Sequence, residues 1–269
     1  MGDYVHGYRE RESERLADQA GTLVELLHGD TAYPAGATVL EAGCGVGAQT
    51  VTLAARSPDA RITSVDISEE SLALARARVQ EAGAANVELR RADILDPPFD
   101  PASFDHLFVC FVLEHLPEPG AALARLAGLV RPGGSVTVIE GDHGSAYFHP
   151  ETAAARAAVD TLVQLQAGAG GDALIGRRVY PLMVEAGLTD VHVSPRVVYA
   201  DDSRPELVDG FTRRTFTAMV EGVREPAIES GLVPAAEFDA GVLDLYRTAE
   251  RGGTFSYTFF KGTGTVAAR

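Results

Sequence analysis

The stretch Val39-Leu40-Glu41-Ala42-Gly43-Cys44-Gly45-Val46-Gly47 constrains this chain more than any other. An apolar run breaks into three alternating glycines, and a helical pattern opens near Ala48. Glycine lets the backbone turn tightly and approach a ligand at the carboxyl edge of a sheet. Strand, turn and helix in that order make the first unit of a sheet whose neighbours run parallel.

The pattern repeats. The runs ATVLEAG, RITSVDI, NVELRRAD, SFDHLFVCFV and GSVTVIEG alternate with helices predicted over Gln49 to Arg56, Glu69 to Glu81 and Gly120 to Val130. In the last of these, Leu123, Leu126, Ala127 and Val130 share one face. Short buried strands alternating with helices predict an α/β fold with a doubly wound, mostly parallel sheet. After Glu140 the alternation loosens. A helix near Thr152 to Gln166 runs into the glycine-rich stop AGAGGD, and another over Arg177 to Ala186 is closed by Gly187. VHVSPRVVYA reads as a strand, Pro205 to Arg224 and Ala235 to Glu250 as helical, and Thr254 to Phe260 as the last strand.

With 269 residues, one α/β domain with insertions is expected rather than two independent domains. Residues 1–36 are expected to form an N-terminal helical cap, because Leu16, Ala20, Leu23 and Leu27 recur at helical spacing between Arg9 and His28. Residues 37–200 with 252–269 make the core, and 201–251 a helical insertion. No apolar run reaches the ~18 residues of a membrane span, and the charged N-terminus lacks the apolar centre of a signal peptide. A cytoplasmic protein without membrane partners is expected. The net charge of −15, from 38 acidic and 23 basic side chains, disfavours a phosphate backbone as partner, so no nucleic acid is expected. Two cysteines, Cys44 and Cys110, offer neither a disulfide framework nor metal-ligand spacing, and no metal site is expected.

Gly43, Gly45 and Ala48 also satisfy G-x-G-x-x-A, which is weak evidence for a dinucleotide fold. The neighbouring residues discriminate. Strand RITSVDI ends in Asp66, placed to accept both hydroxyls of a ribose. Asp93, in Arg91-Ala92-Asp93-Ile94, ends the third strand. Ser103-Phe104-Asp105 opens the fourth strand, Leu113-Glu114-His115-Leu116 closes it, and Leu129-Val130-Arg131-Pro132-Gly133-Gly134 precedes the fifth. This ordered set resembles the class I S-adenosylmethionine-dependent methyltransferases, in the small-molecule branch that includes ubiquinone and sterol methyltransferases. The resemblance spans Ala37 to about Glu140.

It implies a Rossmann-like core with a reversed last strand and S-adenosyl-L-methionine as cofactor. Glu41 and the loop Gly43, Cys44 and Gly45 through Gly47 would lie along the methionine part, with Gln49 or Thr50 at the helix start. Asp66 would hold the ribose and Ile67 pack on the adenine. Asp93 would meet the adenine amino group, flanked by Ala92 and Ile94. Cys110 and Phe111 would supply backbone to the amino-acid end, with His115 close by.

Asp96-Pro97-Pro98-Phe99 looks like the box of amino-group methyltransferases acting on DNA bases, but it precedes the fourth strand instead of following it. Two prolines in a connecting loop are the plainer reading. The carboxylate pattern of Mg-dependent catechol-type enzymes is missing as well. Substrate residues must come from outside the cofactor core. The segment Glu140 to His149 reads as a polar and aromatic loop at the sheet's carboxyl edge, and Tyr4-Val5-His6-Gly7-Tyr8 is similarly rich. Tyr8, His143 and Tyr147 are therefore expected to face a small-molecule substrate, with His143 the leading general base. These two segments also resemble bacterial methyltransferases of specialised metabolism, some of which methylate an indole carbon. In the 201–251 insertion, Leu207, Phe211, Phe216, Met219 and Val220 recur at spacings of three to five. The insertion is expected to act as a lid over the substrate, the alternatives being a cover for the sheet or a homodimer contact. A nucleotide-dependent oxidoreductase and a non-catalytic cofactor-binding scaffold remain the rival readings.

Overall fold

The computed structural model describes residues 23–268. Strands β1 (Thr38–Ala42), β2 (Arg61–Asp66), β3 (Val87–Arg91), β4 (Phe104–Cys110), β5 (Val130–His149), β6 (Leu188–Ala200) and β7 (Thr254–Val266) form one sheet in the order β3-β2-β1-β4-β5-β7-β6. The order reverses beside β1, and β1, β2, β3, β4 and β5 pair in parallel. The last two strands alternate in direction. Gly262 backs onto Val193 and Gly264 onto Leu188, so β7 runs antiparallel to β6. Ser145 bonds to Thr258 and Phe148 stacks on Phe255, so β7 also runs antiparallel to β5.

The chain divides into two compact units, with boundaries inside β5, β6 and β7 and between Leu174 and Ile175. The larger comprises residues 24–140, 175–195 and 260–268. Its central strands β1 and β4 are buried on both faces, as strands of a parallel sheet covered by helices are. Period-two alternation sorts them. Leu40, Ala42, Leu107, Val109, Val136 and Val138 form one apolar cluster with Leu123 and Leu126 of α4 (Pro119–Ala127) and Val179, Leu182 and Met183 of α6 (Val179–Glu185). The alternate positions, including Val39, Glu41 and Phe108, face the other way. There lie the helical residues 23–28, here α1, and α2 (Ala48–Arg56), which packs beside α3 (Glu69–Glu81). At the opening of β4, Asp105 accepts the Thr38 N–H at 2.7 Å and donates its own N–H to the Thr38 hydroxyl at 3.1 Å, which locks β1 to β4.

The smaller unit comprises residues 141–174 and 196–259. Its helices are α5 (Ala153–Gly168), a helical run from Pro205, α9 (Arg224–Glu229) and α10 (Ala235–Arg247). Thr152 caps α5 by accepting the Ala155 N–H at 3.0 Å, and Gly241 of α10 lies so close to Ala154 that a Cβ there would sit 2.3 Å from its carbonyl oxygen. The helical run begins as α7 (Pro205–Leu207), is π-helical over Val208–Thr217 and ends as α8 (Ala218–Gly222). The five-residue gap between Phe211 and Phe216 has its explanation there. In an α-helix, at about 100° per residue, those side chains would lie about 140° apart. The wider turn brings both rings against Phe255 and Tyr257, and Thr215 donates to the Gly210 carbonyl five residues back.

Candidate functional site

The turn after β1 is held from inside the sheet. Gly43 and Cys44 both donate to the Val65 carbonyl, at 2.8 and 2.9 Å, so β2 fixes where β1 ends. Gly43 has φ 77°, and a Cβ there would lie 2.5 Å from Val112. Gly45, with φ 51°, differs: a Cβ built on it meets nothing within 4 Å. The Asp66 carboxylate closes the turn, taking the Gly45 N–H at 2.8 Å on one oxygen and the Ser68 N–H at 2.9 Å on the other. Each oxygen keeps acceptor capacity, because an ionised carboxylate has about four acceptor sites. Capping of α3 falls to Ser68, which accepts the Ser71 N–H at 3.2 Å, so Asp66 is not used up as a helix cap.

Beneath the turn, Glu41 is buried on the α2 side of β1. One of its oxygens accepts the Thr50 hydroxyl at 2.7 Å and the Ser64 hydroxyl at 2.6 Å. Burial pushes its carboxyl up to about 7, against the pull of these two bonds, and the Asp66 charge adds to the rise. Burial also raises both thiols, Cys44 and Cys110. They behave as small core residues rather than nucleophiles.

At the ends of β2 and β3, Ala92 donates to the Asp66 carbonyl at 3.0 Å, Asp93 accepts the Leu95 N–H at 2.8 Å, and Arg91 reaches the Ile67 carbonyl at 3.1 Å. Asp66, Ile67, Ala92, Asp93 and Ile94 thus share one sheet edge. Ile67 is 46% exposed there, although apolar. α2 begins without a side-chain cap, its Ncap being Gly47, and carries no acid in its first turn. Unsatisfied N–H groups and the helix dipole favour an anion at such an end. The edge can therefore take a ligand with a diol, a flat apolar ring and a carboxylate.

Past β4, Phe111 has φ 57° and donates to the Ile139 carbonyl at 2.9 Å. The chain then makes one 3-10 turn, Leu113–His115. The fully buried Glu140 fixes that turn, accepting the N–H groups of Val112 at 3.1 Å and Leu113 at 2.8 Å. Burial, reinforced by the neighbouring Glu114, holds the Glu140 carboxyl well above the usual range. His115 lies 3.6 Å from Glu114. Among the described residues there is no cluster of three or more side chains able to hold a metal ion, and no helix is long and apolar enough to cross a membrane.

The expected substrate residues are placed differently from the cofactor set. Tyr8 lies outside the described residues. His143 and Tyr147 are not in a loop, because β5 continues to His149. Alternating burial of Ala146, Tyr147, Phe148 and His149 and the bonds between Ser145 and Thr258 draw this polar stretch into the sheet. His143 is buried in the smaller unit, its Nδ1 2.7 Å from the Tyr257 hydroxyl and its ring edge-on to Phe216. Tyr147 is 66% exposed. Sequence reasoning passed over Ser64, Tyr257 and His28. Ser64 and Tyr257 occupy ordinary strand positions, and His28 follows the apolar stripe of its helix. The D-P-P-F box lies between β3 and β4, with Phe99 packed edge-on against Phe104.

Residues 39–134 match the family model described as "Methyltransferase domain". Over 207 residues the chain is 32% identical to an uncharacterized 37.1 kDa protein in transposon TN4556 of Streptomyces fradiae, covering 74% of this chain and 55% of that protein. The chain thus spans about half the length of that relative. Over 238 residues it is 28% identical to the 27-O-demethylrifamycin SV methyltransferase of Amycolatopsis mediterranei, covering 87% of this chain and 80% of the other. Among solved structures, a phosphoethanolamine N-methyltransferase 2 of Haemonchus contortus, in complex with phosphomonomethylethanolamine and S-adenosylhomocysteine, superposes with a TM-score of 0.55 at 16% identity. The match covers 93% of this chain and 53% of that one, a likeness of fold.

Proposed function

We propose that this chain, which carries the class I S-adenosylmethionine-dependent methyltransferase fold, transfers a methyl group from S-adenosylmethionine to a small hydrophobic or aromatic molecule. The observation that carries this reading is the joint closure of Gly45 and Asp66 under an open space at the sheet edge. The residues present fit the cofactor. Asp66 has acceptor capacity for two ribose hydroxyls, Ile67 offers an exposed apolar flank for adenine, and Asp93 stands at the next strand end for the adenine amino group, between Ala92 and Ile94. The Gly43–Gly47 turn, Cys44 included, gives close backbone approach, with Glu41, Gln49 and Thr50 toward the methionine part and Cys110, Phe111 and His115 at the end of β4.

When bound, the cofactor supplies an electrophilic methyl group on a positively charged sulfur. The protein's part is alignment and exclusion of water, which can account for several kcal/mol of the barrier. Two classes of acceptor suit the candidate substrate residues. If the acceptor is a hydroxyl, His143 is the base that takes its proton, with Tyr257 fixing the ring. The Amycolatopsis relative, named for an O-demethylated substrate, supports this branch. If it is an indole carbon, Tyr8 and Tyr147 are the aromatic rings that would stabilise a cationic ring. Incubation with methyl-labelled S-adenosylmethionine and a panel of phenols, polyketide-like hydroxyl compounds and indoles tests the proposal. Label in a low-molecular-weight product supports it, and no label in any acceptor, from protein that binds the cofactor, contradicts it.

A further inference from the structure

The helical residues 23–28 end on the α2 face of the larger unit's sheet, held by two cations. Lys261, on β7 and only 3% exposed, donates to the Leu27 carbonyl at 3.0 Å and also to Asp30 and Thr31. Arg56, the last residue of α2, donates to the Gly29 and Thr31 carbonyls and pairs with Glu25 at 3.0 Å. Between these anchors sits His28, fully buried, 5.7 Å from the Phe108 ring, with its Nε2 2.6 Å from the Gln49 amide oxygen.

The protonation of this pair can be read from its surroundings. An amide oxygen only accepts, so His28 donates through Nε2 and carries its proton there. Burial, with the nearby Lys261 and Arg56 charges, lowers its pKa to about 4, so the ring is neutral. Nδ1 is then a buried lone pair without a hydrogen-bond partner. With the amide turned round, Nδ1 would carry a buried orphan N–H, which proteins tolerate less than an orphan acceptor. Gln49 is consequently fixed with its oxygen toward His28 and its two-proton nitrogen on the far side. It is the second residue of the uncapped α2, where backbone N–H groups and the helix dipole already favour an anion.

We propose that His28 is a positioning residue: it orients Gln49 so that the amide nitrogen, with the first turn of α2, receives the carboxylate of the cofactor's methionine part. The inference rests on the cofactor reading above. It makes His28 specific to one end of the ligand, which a merely structural histidine would not be.

The test compares S-adenosylhomocysteine with 5′-methylthioadenosine, which keeps the adenosine and thioether but lacks the amino-acid end, by calorimetry. His28→Phe keeps a ring and removes the donor; His28→Gln keeps a donor. In His28→Phe, S-adenosylhomocysteine should bind about tenfold more weakly while 5′-methylthioadenosine is unchanged. His28→Gln should bind nearly as wild type, and His28→Phe/Gln49→Ala no worse than Gln49→Ala alone. Gln49→Ala, which leaves the buried ring in place, should show the same selective loss even if His28→Phe does not fold. Equal weakening of both ligands, no weakening, or additive losses in the double variant would overturn the inference. Wild-type protein that binds neither ligand would instead overturn the cofactor reading beneath it.

Discussion

Asp66 accepts the Gly45 N–H at 2.8 Å, so the carboxylate that ends β2 holds the middle of the glycine turn that ends β1. The two residues are 21 positions apart in sequence, and each limits the other: the turn cannot open without unpairing the carboxylate. Replacing Asp66 by Ala removes both this bond and the acceptors proposed for the ribose hydroxyls. Hydrogen bonds to charged groups contribute about 1.5–3 kcal/mol, so affinity for S-adenosylhomocysteine should fall about tenfold or more in calorimetry. Unchanged affinity in a folded variant would place the site elsewhere.

The glycines separate packing from binding. Gly43→Ala forces a Cβ to 2.5 Å from Val112 and should destabilise the fold by about 2 kcal/mol or more. Gly45→Ala meets no neighbour and carries only the left-handed backbone cost, about 1–2 kcal/mol. Its methyl group would nevertheless project into the open space, so it should lose ligand binding out of proportion to stability. Urea unfolding and ligand titration on the two variants check this. Normal ligand affinity in Gly45→Ala would contradict it.

Glu41 sets a pH dependence whose sign is fixed by burial. Its carboxyl rises from 4.5 to about 7 in the folded protein, so between those values the native state holds a proton that the unfolded state has released. The associated stability is fully present below about 4.5 and is lost as pH rises through about 7, by about 3 kcal/mol at most. Glu41→Gln keeps an acceptor for Thr50 and Ser64 without the titration. The ligand-free variant should therefore lose less stability than wild type between pH 5 and 8, as read by thermal melting. Parallel melting curves would refute the assignment.

Glu140 anchors the turn after β4 by accepting two adjacent N–H groups. Glu140→Ala leaves both N–H groups buried and unpaired, which should cost about 2–4 kcal/mol in chemical unfolding. Glu140→Gln retains the acceptor and relieves the repulsion from Glu114, so its cost should stay below about 1 kcal/mol. Equal losses in the two variants would mean the carboxylate does not hold the turn.

Much of the core was legible in the sequence because its physics is local. Glu69–Glu81 carries its own cap in Ser68, and the glycine turn needs backbone angles that few other residues adopt. Asp66 could be located because strand ends in a parallel sheet share an edge. The stretch 140–149 was not legible as strand: its glycines, Asp142 and Ser145 suit a loop, and its strand state depends on Thr258, 113 residues from Ser145. The π-helical turn was hidden for a related reason, since the five-residue gap between Phe211 and Phe216 has meaning only once Phe255 and Tyr257 are in place. The His28–Gln49 contact joins two elements whose patterns signal packing alone.

The central claim is that the edge built by Gly45 and Asp66 takes S-adenosylmethionine and its product. Isothermal titration of the wild-type protein with S-adenosylhomocysteine and, separately, with NAD and NADH tests it most directly. The account predicts saturable binding of S-adenosylhomocysteine at one site per chain, abolished or weakened about tenfold in Asp66→Ala, and no binding of either nicotinamide dinucleotide. Binding of NAD or NADH without binding of S-adenosylhomocysteine would contradict it.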